Sequence, residues 1–510
     1  MFRLLRRFPT SCLAHSPIRY RVHRQSKRKY LILNLAGSSA VEGKCRFGNP
    51  SVTTSMRYSQ TQESVNNKNP TRSKLLRRLG KLEDFYFERE YVIISRLHLH
   101  SKMEIMEEQV AEAIRRLQQR HVSLRMAVIE GGGVRYFAEV PDAVDWKVLR
   151  NSDVKAAAED LEGEQFRKQD LLWKVRMLQC ERKGPEQYIY RFIFAFQHCV
   201  IDGRSIFADV FPTLIGYLEE YTTNSREEQA EPKSLPLMPA REDLYTEDDV
   251  AKAEFQSTAF KSDYMMEEFT SKFMAMYKPD NPRAVSGLES FEVNGTETSS
   301  IIKVAKQQHV TMNSVCVMAI AMGTFQFLTK VGVMKSDAFA FEAPFTVDLR
   351  RYADPPFTPK QHGAVQSDCH CRIRLTSEIV DATFWKMTHS LDNEVKEMIK
   401  GRQAIADAIN EDALFDSLRD GQTVGQNFIS ISNVGNVTFL AGSKEEAAVT
   451  AEDFVCVNGG RGPDLFAFYI TTLNGKLQFQ LSYSKMHVPD ELAEVYVFLL
   501  KEQLLKMSCS

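Results

Sequence analysis

The sequence predicts an α/β body built in two joined parts, and three observations carry that reading. Runs rich in aromatic and β-branched residues, bounded by Gly, Asn and Asp, alternate along the chain with stretches whose apolar residues recur at helical spacing. At 510 residues, 43% hydrophobic and 26% charged, the chain is ordinary globular material with apolar residues enough for more than one core. Between two such sets of elements lies a segment rich in Glu, Pro and Ser, closing on Leu235-Pro236-Leu237-Met238-Pro239, which cannot continue a helix. The expected division is therefore an N-terminal subdomain over 74–221, a linker over 222–245 and a C-terminal subdomain over 246–510, preceded by a flexible lead over 59–73.

In chain order, Tyr91 to Leu99 reads as a strand, and Ser101-Lys102-Met103-Glu104 reads as a capping box opening a helix. Met106, Val110, Ala113, Ile114 and Leu117 fall on one face of that helix, which ends at Arg120-His121, so His121 is read as a structural helix-end residue. Gly131-Gly132-Gly133 marks a hairpin, Glu159 to Phe166 a short helix, and Trp173 to Cys180 a strand. Past the linker, Glu247 to Tyr277 is helical and charged and Phe291 to Val293 extended. Helices are expected at Thr298 to Gln308 and Met312 to Thr329, the second N-capped by Thr311. Phe339 to Val347 and Gly363 to Leu375 are strands, Asp381 to Lys400 a helix, and Phe466 to Tyr483 a hairpin turning at Asn474-Gly475. A helix from Pro489 to Leu505 closes the chain.

The most informative stretch is Tyr188 to Ser205. In a strand Tyr188, Tyr190, Phe192, Phe194, Phe196 and His198 share one face, so an imidazole ends an aromatic row. Asp202-Gly203 then breaks the strand, and Ile206, Val210, Leu214 and Leu218 resume at a spacing of four, with Ser205 read as the N-cap. His198-Cys199-Val200-Ile201-Asp202-Gly203 is a His-x-x-x-Asp-Gly pattern. It resembles the signature of the chloramphenicol acetyltransferase-like superfamily, which includes alcohol acetyltransferases, polyketide-associated acyltransferases and nonribosomal-peptide condensation domains. Two further stretches resemble that superfamily in the same order: Val347-Asp348-Leu349-Arg350 after a strand, and Ser432-Asn433-Val434-Gly435.

The resemblance, over about residues 75 to 505, implies two chloramphenicol acetyltransferase-like subdomains with an active-site tunnel at their interface. It implies His198 as the catalytic base, and Asp202 held by a buried salt bridge to Arg350. Asp202, Gly203 and Arg350 are then structural at the active site, and Ser432 and Asn433 are candidates for the oxyanion donor or the tunnel wall. One departure is Gln197, where condensation domains usually carry a first histidine; the second, His198, is retained. Dihydrolipoamide acyltransferases share the motif near their C-terminus, whereas about 300 residues follow Gly203 here. Gly203-Arg204-Ser205 lacks the second glycine of a nucleophile elbow. The implied activity is transfer of an acyl group from coenzyme A to a hydroxyl or amine acceptor, with no covalent enzyme intermediate. Acyl-CoA is thus a co-substrate, and no cofactor is expected to be bound permanently. The alternatives are a non-catalytic member that binds acyl-CoA or a protein, and a condensation-type amide-forming domain.

Charge and cysteine usage bound the rest. Residues 1–58 hold 12 Lys or Arg against Glu42 alone, which reads as a mitochondrial presequence or a disordered extension; the expected location is mitochondrial, otherwise cytoplasmic. The remainder carries net charge −12, which gives no footing for nucleic acid. Nine scattered cysteines suit reduced thiols. Cys369-His370-Cys371 would place two thiols on one strand face with no second ligand pair nearby, so no metal site is expected. The apolar run Val315 to Leu328 is short of a bilayer span, leaving peripheral contact as the expected relation to membranes.

Overall fold

The computed structural model describes residues 73–508 apart from 151, 168, 223–232, 258–264, 336–337, 377–380, 419–426, 442–446 and 460–463. The readings of 1–58 and of all but Ser73 of the lead lie outside the described residues, as does most of the first half of the 222–245 connection.

The first half runs β1 (Lys74–Arg78), α1 (Lys81–Glu88), β2 (Val92–Ser101), α2 (Glu107–Arg120), β3 (Met126–Gly131), β4 (Val134–Glu139), β5 (Asp145–Leu149), α3 (Val154–Gly163), β6 (Trp173–Gly184), β7 (Gln187–Gln197), α4 (Gly203–Ser205) and α5 (Phe211–Thr222). β7 alternates as expected. Tyr190, Phe192, Phe194 and Phe196 enter one core with the apolar faces of α2 and α5, while Ile193 and Ala195 on the other face pack with Ala157 and Leu161 of α3. The Phe194 and Phe196 rings stack 5.8 Å apart. That rigid row carries the chain to His198.

The second half runs α6 (Glu247–Ser257), α7 (Met265–Met276), β8 (Ser286–Val293), α8 (Gly295–Gln307), α9 (Met312–Lys330), β9 (Ala338–Asp348), β10 (Gln366–Thr376), α10 (Asp381–Lys400), α11 (Gln403–Leu418), β11 (Asn427–Asn436), β12 (Val449–Asn458), β13 (Asp464–Leu473), β14 (Lys476–Ser484) and α12 (Asp490–Ser508). Its sheet is six-stranded, in the order β10-β9-β11-β13-β14-β8. α9 lies in the middle of this core, with Tyr496 of α12 stacked 4.5 Å from its Phe327. At 19 residues α9 is long and apolar enough to cross a membrane, longer than the apolar run alone suggests, and 67% of its apolar window is buried inside the body. Thr311 caps it through the Ser314 amide. Asn474 and Gly475 both have positive φ, 52° and 74°, which suits the tight β13–β14 turn.

The division by sequence is not a division in space. β12, from the second half, is the edge strand of the first half's five-stranded sheet, in the order β12-β2-β7-β6-β5. Side chains of the other sheet then hold it: Gln480 of β14 donates to the Phe454 carbonyl at 2.7 Å and accepts from the Cys456 amide at 3.3 Å, and the Asn458 amide donates to Tyr469 of β13 at 2.9 Å. The two halves are thus clasped by a strand given by one to the other.

Three local expectations are corrected. α2 begins five residues later than the Ser101 box implies, with Met106 at its N-cap and Gln109 reaching back to the Met106 amide at 2.8 Å. Ser101 instead ends β2 and bonds Met103 in a turn. The cap after the signature strand is Asp202, not Ser205; its Oδ1 accepts the Ser205 amide at 2.9 Å. α3 starts at Val154, earlier than Glu159, because Asp153 caps the amides of Lys155 and Ala156.

Candidate functional site

β7 ends at Gln197, and the His198 amide still pairs with the Tyr91 carbonyl at 2.8 Å, so the ladder holds the histidine backbone. The Gln197 side chain accepts from the same amide at 3.1 Å, giving this departure from the two-histidine pattern a local structural use. The imidazole is buried. Tyr86 of α1 lies against it with ring centroids 4.5 Å apart, and the Gln366 amide nitrogen of β10 is 3.5 Å from its Nε2. The same amide donates to the Tyr86 hydroxyl at 2.9 Å. The Gln366 amide can donate to Nε2 only in the tautomer that carries its proton on Nδ1, which is the tautomer a base acting through Nε2 requires. Burial lowers the histidine's pKa below its ordinary value, opposed by the His198 and Ile201 carbonyls and by the charges of Asp202 and Asp368, so the ring is neutral at pH 7.

Four residues on, Asp202 does what a signature carboxylate in a buried turn must do to stay ionised. Its Oδ2 is 2.6 Å from Arg350 Nη1. Burial pushes its pKa up, but the Arg350 charge and hydrogen bond and the Ser205 amide outweigh that and hold it below the usual range. Arg350, in the turn after β9, also donates to Ser205 Oγ at 3.0 Å, Asp348 Oδ1 at 3.2 Å, and the carbonyls of Gln361 and Gly363 at 3.2 and 3.3 Å. One guanidinium therefore ties the histidine turn to the segment leading into β10. Gly203 packs where an added Cβ would meet Phe207 and Cys456 at ordinary contact distances, so space alone does not demand glycine there.

A cavity of about 780 Å³ opens in front of His198, lined by Tyr86, Gln366, Asp368, Ser432 and Asn433 among others. Ser432 is paired through its backbone in the β11–β13 ladder, and its hydroxyl makes no hydrogen bond among the described residues. Asn433 is committed: its amide donates to Asn313 at 3.1 Å and its oxygen accepts the Gly435 amide at 3.0 Å, fixing the bulge where Gly435 takes φ +85°. The sequence-predicted His198, Asp202, Gly203, Ser432 and Asn433 all line this cavity and Arg350 stands behind it on Asp202, whereas Tyr86, Gln366, Asp368 and Asp464, which line it too, were missed.

A second polar cluster stands behind the turn. His121 Nε2 and His362 Nε2 are 3.3 and 3.1 Å from the same Asp209 oxygen, the two rings stack 4.2 Å apart, and Ser123 Oγ is 2.8 Å from His362 Nδ1. Three donor atoms within reach of one ion make it the cluster with metal-ligand spacing among the described residues. All three residues are buried. Burial, the neighbouring His362 and two arginines drive the His121 pKa far down, so it is neutral. We read the group as a lock joining the end of α2, the turn before α5 and the segment before β10, in which His362 hydrogen-bonds Asp209 and Ser123 while His121 stacks in beside the same carboxylate, its Nε2 without a hydrogen bond of its own. Around Cys369-His370, by contrast, Cys369 is buried and His370 faces Glu342 at 3.6 Å.

No protein-family model and no curated protein matches the chain. Solved structures do. Over 86% of this chain and 97% of the other, it superposes with TM-score 0.62 at 12% identity on TRI3, a trichothecene 15-O-acetyltransferase from Fusarium sporotrichioides. Polyketide synthase associated protein 5 from Mycobacterium tuberculosis gives 0.60 at 12% identity, covering 86% and 98%. The first condensation domain of the calcium-dependent antibiotic synthetase gives 0.56 at 12% identity, covering 85% and 97%. The fold is that of the chloramphenicol acetyltransferase-like acetyltransferases and condensation domains, two α/β halves meeting at a cleft.

Proposed function

We propose that the protein moves an acyl group from a coenzyme A thioester to a hydroxyl or amine acceptor, with His198 as general base and without a covalent enzyme intermediate. The observation that carries the reading is a buried imidazole, its Nε2 3.5 Å from the Gln366 amide nitrogen, at the cavity that the two halves share. In this mechanism the acceptor's proton passes to Nε2 as its oxygen or nitrogen bonds to the thioester carbonyl carbon. The tetrahedral species then collapses, the carbon–sulfur bond breaks, and the imidazolium returns the proton to the departing thiolate. Positioned proton transfer of this kind is worth about 10²- to 10⁴-fold.

The oxyanion needs a donor. Tyr86 suits this, because its oxygen accepts from Gln366 and its own proton is left to point at the substrate; burial raises its pKa well above the ordinary value and keeps it protonated. Ser432 is the second candidate. Arg204 and Arg351 line the same cavity as exposed cations and suit the phosphates of a coenzyme A donor; Lys396, also there, is paired with Asp392. The test is acyl-CoA thiol release by the purified protein with mixed alcohols and amines. Release that requires both an acceptor and His198 supports the reading. Acyl-CoA binding without release in wild type favours the non-catalytic alternative, and release that demands a carrier-tethered donor favours the condensation-type one.

A further inference from the structure

The cavity's charges are sorted along the strands. Asp348 pairs in register with Gln366 and Thr346 with Asp368, so Asp368 shares a face of β10 with Gln366, two residues or about 7 Å further along. Ile431 of β11 pairs with Phe345, which puts Asn427 and its register partner Asp464 still further the same way. Gly435 and the turn carrying Arg351 lie in the opposite direction, beyond the level of Gln366. Seen from His198, the cations stand at one end, where the cavity's Asp392 and Asp348 are paired with Lys396 and Arg350, and the carboxylates of Asp368 and Asp464 stand at the other.

Those carboxylates have no ion-pair partner among the described residues. Asp368 accepts only from Thr346 Oγ1 at 3.0 Å, and Asp464 from Ser430 and Asn427 at 2.8 and 3.1 Å. Arg241, a buried cation in this region, is consumed by Asp412 and Glu411 at 2.6 and 2.8 Å. The resulting negative field is felt by its neighbours. Burial first, with the charge of Asp368 adding to it, lifts the Asp464 carboxyl to about 6 and raises Glu411, Tyr86 and Tyr469. Independently of charge, the Gln366 side-chain oxygen is buried and has no hydrogen-bond partner, on a residue 8% exposed that lines this end of the cavity. Three aromatic rings, Tyr86, Phe345 and Tyr469, also line it.

Resting on the acyl-transfer reading for the ligand's fate, we propose that the acceptor carries a fixed positive charge. Its ammonium group, primary or quaternary, sits on Asp368 among the aromatic rings, about 7 Å along β10 from Gln366 beside His198, and Asp464, further along the cavity, adds to the negative field. The free Gln366 oxygen accepts a hydrogen bond from the acceptor's polar end.

The test uses the full chain and two alcohol series that differ only in charge: ω-hydroxyalkyl trimethylammonium ions and their neutral tert-butyl isosteres. Calorimetric titration should show the cation bound at least about tenfold more tightly at the best chain length, the preference shrinking with added salt. Asp368→Asn alone should reduce that preference, and Asp368→Asn with Asp464→Asn should abolish it while circular dichroism stays unchanged. Equal binding of the two series, tighter binding of the isostere, failure of both to bind, or a preference that survives in the double variant overturns the proposal. Thiol release separates the two ideas. A cation that binds selectively but is acylated from no acyl-CoA leaves the anionic subsite standing and sinks acyl transfer. A neutral isostere acylated with equal kcat/KM does the reverse.

Discussion

Replacing Arg350 by Leu isolates the interaction on which the site's geometry depends. In the intact protein the guanidinium meets Asp202 Oδ2 at 2.6 Å, and Asp202 is 4% exposed. The leucine leaves a buried carboxylate that keeps only the Ser205 amide, and removing one partner of such a pair costs about 3–5 kcal/mol. Two carbonyls, of Gln361 and Gly363, also lose a donor. The sign with pH follows from linkage. In wild type the Asp202 pKa is depressed, so its contribution is present at and above the ordinary carboxylate range and is lost only as pH falls through the lower folded value. In the variant burial, opposed chiefly by the Ser205 amide, raises that pKa, so acidification relieves the charge. The gap between the two proteins in urea denaturation should therefore be widest at neutral pH and narrow toward pH of about 5. The double variant Asp202→Leu with Arg350→Leu should recover part of the loss. A gap below about 1 kcal/mol, or one indifferent to pH, would refute the claim that this ion pair is buried and singly compensated.

Because burial holds the His198 imidazole below its ordinary pKa, the acid limb of kcat/KM should fall below pH 6.5, and a limb above that value would contradict the neutral-base assignment. Tyr86→Phe should lower kcat by about 10²-fold with KM little changed, whereas a pure KM effect would remove Tyr86 from the oxyanion. Asp209→Ala leaves the buried His362 Nε2 without its hydrogen-bond partner and should cost about 1–3 kcal/mol in stability to denaturant; an unchanged midpoint would show that the lock holds nothing. Gly287→Ala places a Cβ 2.0 Å from the ring of Tyr483, its register partner, and should destabilise by about 1–3 kcal/mol unless the ring finds another rotamer, which its lost bond to Asp490 would reveal.

What was legible in the sequence was local. The alternation of β7 and the four-residue step from His198 to Asp202 are written in consecutive residues, and the structure places them as strand, turn and cap. The Asp202–Arg350 pair spans 148 positions and carries no local pattern; a family resemblance supplied it. Nothing supplied Tyr86, Gln366, Asp368 or Asp464. Each is an ordinary residue on a helix or strand; Tyr86 reaches His198 through packing within the first half, and Gln366, Asp368 and Asp464 reach the cavity only because the second half closes on it. The His121, Asp209 and His362 group is hidden for the same reason. β12 was missed because Val449 to Asn458 mixes Glu452 and Asp453 into a short apolar run, and a register shift between Ala451 and Asp453 breaks its alternation. Its crossing to the other sheet is a tertiary event. Ser205 was taken for a cap because serine suits one, yet Asp202 reaches the free amide first.

The most direct measurement is thiol release from an acyl-CoA panel, with and without acceptors, by wild type and His198→Ala at neutral pH. The account predicts acceptor-dependent release in wild type, reduced by about 10²- to 10⁴-fold in a variant whose fold and acyl-CoA binding persist. A variant that turns over as fast as wild type would contradict it.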